Sequence, residues 1–242
     1  KIAHSYTYNS LLQSACKGAQ NVKFVQNYID SCAHTQEEIL PDYEVEEYEI
    51  NTTLERFMVV QQNSQCFYAK NAKLWGNRTP WNSLLTLDEN CKYISRDMQD
   101  FINECDSSQL DGFVLEVPAA NQFAPCVDAF EKTILQVVEC IQSHIPVNKE
   151  TDCSIGFYDI GGKSCFVTAF APCYPADHSR FMFTNETTKN SCFWLFQPES
   201  SFIRKKLIDP DNPRTVLSVQ PPKICSHIRE RFFQHGRPYV YA

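Results

Sequence analysis

Between positions 91 and 105 the apolar residues Ile94, Met98, Phe101 and Ile102 recur at steps of three and four, with a cysteine closing the run at each end. That spacing predicts an amphipathic helix. Fourteen steps of about 100° return to within roughly 40° of the starting direction, so Cys91 and Cys105 share a face about 21 Å apart, too far to bond each other. Residues 126–140 repeat the interval, with Phe130, Ile134, Val137 and Val138 as the stripe between Cys126 and Cys140. If the two helices pack antiparallel, Cys91 faces Cys140 and Cys105 faces Cys126, and two disulfides staple a helical hairpin. Spacing alone does not fix that connectivity.

The same periodicity extends upstream. Leu12, Cys16, Val22, Val25, Ile29 and Cys32 fall roughly on one face, and Leu54, Phe57, Met58, Gln61 and Cys66 suggest a further helix with Thr53 as its N-cap. Downstream of residue 146 the texture changes. The stretch 153–175 mixes β-branched and aromatic residues around Gly161-Gly162, which reads as a hairpin turn, although 164–173 reads equally well as a short helix stopped by Pro172. Residues 181–196 look like two apolar edges around a polar turn, and 209–222 are a proline-punctuated loop. Glycine is scarce, at 7 residues in 242, which argues against a turn-rich β-sandwich. The expected fold is therefore mainly α with a smaller irregular or β C-terminal part: a helical subregion 1–146, a mixed subregion 147–242, and disulfides stapling the whole.

Twelve cysteines sharpen that expectation: Cys16, Cys32, Cys66, Cys91, Cys105, Cys126, Cys140, Cys153, Cys165, Cys173, Cys192 and Cys225. They lack the short-spaced CxxC pairs of structural zinc sites, so the sequence points to six disulfides and an oxidising compartment. Seven lie before residue 147 and five after it. Both counts are odd, so complete pairing requires a bridge between the halves and makes 1–242 one linked unit. Sequons at Asn51, Asn77 and Asn185 are candidate glycosylation sites and agree with a secreted or cell-surface location. The first residues lack an apolar signal core, which reads as a mature start with the signal peptide removed, and no apolar run is long enough to span a membrane.

The net charge of −7 disfavours nucleic acid as a partner. Nine acidic residues against Arg56 alone occupy 30–60, and Tyr43, Glu44, Glu46, Glu47, Tyr48 and Glu49 form a candidate docking strip for a basic partner. Residues 203–237 carry a charge of +5, so the two regions could also neutralise each other within one molecule.

Catalytic signatures are missing. In "GFYDIGGKSC" the glycine that a phosphate loop needs is replaced by Phe157, and the six histidines show no metal-protease spacing. With every cysteine expected to be oxidised, no thiol nucleophile is left. The sequence thus leads to a non-enzymatic extracellular glycoprotein, without cofactor, that binds another extracellular protein or receptor. A carrier of lipid or another hydrophobic small molecule is the alternative, because aromatic residues make up 13% of the chain and could line an apolar cavity.

Overall fold

Both fourteen-residue cysteine intervals fold as helices, but a strand separates them. The computed structural model describes residues 52–66, 68–146, 157–183, 185–207 and 223–236, with backbone alone for 223–226. In chain order the elements are α1 (Thr52–Asn63), β1 (Leu74–Gly76), α2 (Leu87–Glu104), β2 (Gly112–Pro118), α3 (Ala120–Phe123), α4 (Val127–His144), β3 (Phe157–Ile160), β4 (Lys163–Phe170), β5 (Ser191–Pro198), α5 (Glu199–Arg204) and α6 (Lys223–Gln234). A single 3-10 turn, Ala69–Asn71, lies between α1 and β1.

The strands form one mixed sheet in the order β1-β2-β5-β4-β3, with β1 parallel to β2 and every other pair antiparallel. This corrects the expectation of a mainly helical, disulfide-stapled domain: the described fold is α/β. The reason is legible in β2, "GFVLEVP", whose first six residues are all buried. A strand covered on both faces reads as a continuous apolar run, without the alternation that marks a half-buried strand. Phe113, Leu115 and Val117 pack with α2 and α4, whereas Val114 joins Phe57, Val60, Phe170, Met182 and Phe193 on the α1 side. The aromatic run 193–196 lies in β5 at the centre of the sheet, where Trp194 and Phe196 enter one core and Phe193 the other.

α2 begins at a capping box. The Thr86 hydroxyl accepts from Glu89 N at 3.2 Å, and the Glu89 carboxylate accepts from Thr86 N at 2.8 Å. Its stripe Cys91, Ile94, Met98, Phe101 and Ile102 is buried as the periodicity requires. Full burial of a side chain such as Phe101 is worth about 1.5–3 kcal/mol. The Gly161-Gly162 pair closes the β3–β4 hairpin with φ of 61° and 83°, and Gly162 N donates to Asp159 Oδ1 at 2.7 Å. Two successive positive φ values suit a tight hairpin turn, so 163–170 continues as strand rather than helix.

The sulfurs differ from the stapled arrangement. No disulfide joins any two of the eight described cysteines, at 66, 91, 105, 126, 140, 165, 173 and 192. Cys91 and Cys140 do touch, as the packing of α2 on α4 demands, but no bond joins them. Cys105 is fully buried at the end of α2, whereas Cys126 is exposed and its electrostatic neighbour is Cys173 on the loop after β4. The strand inserted between the helices gives these two cysteines different surroundings, which a direct hairpin would not do. Cys16, Cys32, Cys153 and Cys225 lie outside the described side chains, as do the helix expected over 12–32 and the linkage expected across 1–242.

Gly112 marks where the sheet has no spare room. A Cβ there would lie 2.8 Å from Leu195 Cδ1 and 3.1 Å from the Phe196 carbonyl oxygen. Because backbone cannot retreat as a side chain can, Gly112→Ala should destabilise the protein by about 1–3 kcal/mol. A fall in the urea midpoint at unchanged slope is the expected readout, and an unchanged midpoint would contradict the close approach.

Candidate functional site

The sheet face opposite α2 and α4 is incompletely covered. Here α1, the 3-10 turn, α5 and α6 surround a cavity of about 160 Å³. Phe57 and Val60 line it from α1, Phe166 and Phe170 from β4, Leu195 from β5, Phe202 from α5, and Ile228 and Phe232 from α6. Strand alternation explains this lining: Phe166, Thr168 and Phe170 share one face of β4, while Cys165, Val167 and Ala169 go to the other core.

The floor near the start of β2 holds a charge cluster. The Asp111 carboxylate is buried and accepts from Lys73 N at 3.0 Å, Ser201 Oγ at 2.7 Å, Arg204 at 3.0 Å and Lys205 Nζ at 3.0 Å. Burial alone would raise its pKa. The donors from Lys73, Ser201 and Lys205 outweigh that effect and hold it below the ordinary carboxylate value. Lys205 also lies over the Tyr68 ring at 5.6 Å, and Gln61 Nε2 donates to the Ala69 carbonyl at 2.7 Å, which ties the 3-10 turn to α1.

Arg180, Arg229 and Lys205 also line the cavity, and Asp111 is the carboxylate that lines it among the described residues. Arg180 is buried, with its guanidinium carbon 6.0 Å from the Phe170 ring centre. Cys66 also lines the space, and burial pushes its thiol up, so it is protonated at neutral pH. No histidine lines the cavity among the described residues, and Asp111 is committed to its cations. The arrangement offers apolar contact and positive charge, without a base poised beside a nucleophile.

The sites foreseen from sequence fall elsewhere. The strip Tyr43, Glu44, Glu46, Glu47, Tyr48 and Glu49, together with Asn51, lies outside the described residues. Asn185 is exposed, and its side-chain oxygen accepts from the Thr187 hydroxyl at 2.7 Å. Asn77 is buried: its oxygen accepts from Thr53 Oγ1 and Glu116 N, both at 3.1 Å, and its nitrogen donates to the Thr79 carbonyl at 2.7 Å. The nitrogen a glycan would take is thus already engaged inside the fold. Thr53 likewise serves as a buried hydrogen-bond partner within α1. Arg204 and Lys205, from the basic C-terminal stretch, turn inward to Asp111.

Comparison with known proteins finds no matching family, and no curated protein or solved structure similar to this chain. The cavity-lining set was not apparent in the sequence, since it is drawn from segments between residues 57 and 232 that meet only in the fold.

Removing the charge of Asp111 tests the floor. Asp111→Asn leaves Arg204 and Lys205 without their buried counter-charge and should cost about 3–5 kcal/mol in denaturant unfolding. In the parent protein the folded-state pKa is depressed, so this contribution is present above the unfolded value near 3.9 and is lost as pH falls through the folded one. The gap in stability between parent and variant should therefore narrow as pH drops below about 4. A gap that stays constant down to the acid transition would show that the ionised carboxylate is not the source.

Proposed function

We propose that this chain is a non-enzymatic binding protein of the extracellular space whose cavity takes a small amphipathic molecule, with an apolar body and an anionic head. The observation that carries this reading is the cavity wall: aromatic and aliphatic side chains from three helices, the 3-10 turn and three strands, with Arg180, Lys205 and Arg229 among its lining residues. Its volume sets the ligand size. About 160 Å³ is close to the roughly 150 Å³ of an engineered apolar cavity that binds benzene, and smaller than the about 300–1,000 Å³ of sites for drug-sized molecules. A slender chain or a single ring suits it better than a sterol. The extracellular part of this reading rests on the exposed sequon at Asn185. Docking of a protein partner on the acidic strip 43–49 is a separate reading that the cavity does not address.

Octanoate and octanol share an apolar body and differ in the head, so calorimetric titration with each tests both halves of the proposal. Octanoate is expected to bind more tightly, and Arg229→Met should reduce that preference toward parity by about tenfold, or 1.4 kcal/mol. Ala69→Trp, on the cavity rim, should abolish binding of both by filling the space. If neither compound binds the parent protein, the carrier reading fails. Equal affinities would remove the anionic head and leave an apolar site.

A further inference from the structure

On the far side of the sheet from the cavity, α2 and α4 bring four ligand-type side chains to one spot. Asp88 and Cys91 are three residues apart in α2, and Cys140 and His144 are four apart in α4, so each pair occupies one helical face. Ligand atoms of Asp88, Cys140 and His144 all lie within 4.8 Å of one another. His144 Nε2 is 2.9 Å from Asp88 Oδ1, Cys140 Sγ lies 3.9 Å from the Leu87 carbonyl oxygen, and the fully buried Cys91 thiol neighbours Cys140 from inside. A short-spaced motif is absent because Asp88 on α2 lies 52 residues before Cys140 on α4, which is why the sequence alone gives no sign of them.

We propose that Asp88, Cys140 and His144, with water as the fourth ligand, bind a zinc ion that clamps α2 to α4. Zinc bonds of about 2.0–2.3 Å to oxygen, nitrogen and sulfur put tetrahedral ligands about 3.3–3.8 Å apart. The three mutually close ligands need a contraction of roughly 1 Å at most to reach that spacing, within the range of side-chain rotation. A thiolate with an imidazole and one carboxylate selects zinc over magnesium or calcium, which prefer all-oxygen shells. On binding, the ion replaces the proton of the Cys140 thiol, which leaves to solvent, and no electron is transferred. Asp88 and His144 line the outer side, where each is partly open to water, so the ion has an entry path. This site is independent of the ligand cavity and would stand if the carrier reading fell.

The experiment is metal analysis and cobalt(II) titration of the full chain, purified without chelator or reductant. One equivalent of zinc is expected, with cobalt exchange producing a sulfur-to-metal charge-transfer band. Asp88→Asn and His144→Ala sit at surface-accessible positions and leave the core untouched; each should weaken cobalt binding by at least about tenfold, the loss that even outer-shell partners produce. Chelation should lower the melting temperature of the parent but not of His144→Ala, a difference that survives if the variant is itself less stable. The exposed His235→Ala serves as the control and should titrate as the parent does. Recovery of a peptide in which Cys91 and Cys140 are joined as a disulfide would overturn the proposal, as would cobalt binding unchanged in both ligand variants or no metal uptake at all.

Discussion

Two-sided burial of the β2–β5 pair is the constraint on which the rest of the fold depends. These strands lie at the middle of the sheet with helices over both faces, so nearly every side chain along them must be apolar, and their backbone groups pair with neighbouring strands. Glu116, the charged residue on these strands, shows what a departure requires. Burial raises its pKa, and Ser191 Oγ at 2.5 Å and Arg56 at 2.9 Å counter that cost from β5 and α1. The acidic group that breaks the apolar run of β2 therefore also fixes where α1 docks, and α1 forms one wall of the cavity.

Periodicity revealed the helices and hid the sheet. The 3.6-residue stripes at Ile94, Met98, Phe101 and at Phe130, Val137, Val138 correspond to buried faces of α2 and α4, and the Gly161-Gly162 turn closes a hairpin. β2 escaped notice because its apolar residues do not alternate, and the short β1 has only three residues to show a pattern. The two equal cysteine intervals suggested a simple hairpin, yet equal intervals require only equal helices. Here a crossing strand lies between them, so contact at Cys91 and Cys140 carries no implication for Cys105 and Cys126. The candidate cavity was less legible still. Its polar groups, such as Asp111 and Arg180, are ordinary surface-type residues in sequence, and only burial gives them a role.

The sheet also separates two kinds of chemistry. On one face, aromatic rings and guanidinium groups favour an apolar molecule with negative charge; on the other, thiols, an imidazole and a carboxylate converge between two helices. The central strands contribute to both cores through alternate residues: Phe193 belongs to one and Trp194 to the other. Changes in β5 packing thus reach both regions, whereas changes confined to α6 or to the ends of α2 and α4 reach one.

The buried amide of Asn77 bears on the order of events during synthesis. Its nitrogen is held by the Thr79 carbonyl two residues on, and its oxygen by Thr53 of α1 and the Glu116 amide of β2. In the unfolded chain that same amide is open to any enzyme that modifies the Asn-Arg-Thr sequence. A sugar on that nitrogen would have no room beside the buried Thr53–Asn77 contact, so any modification at this position would compete with the docking of α1 on β2.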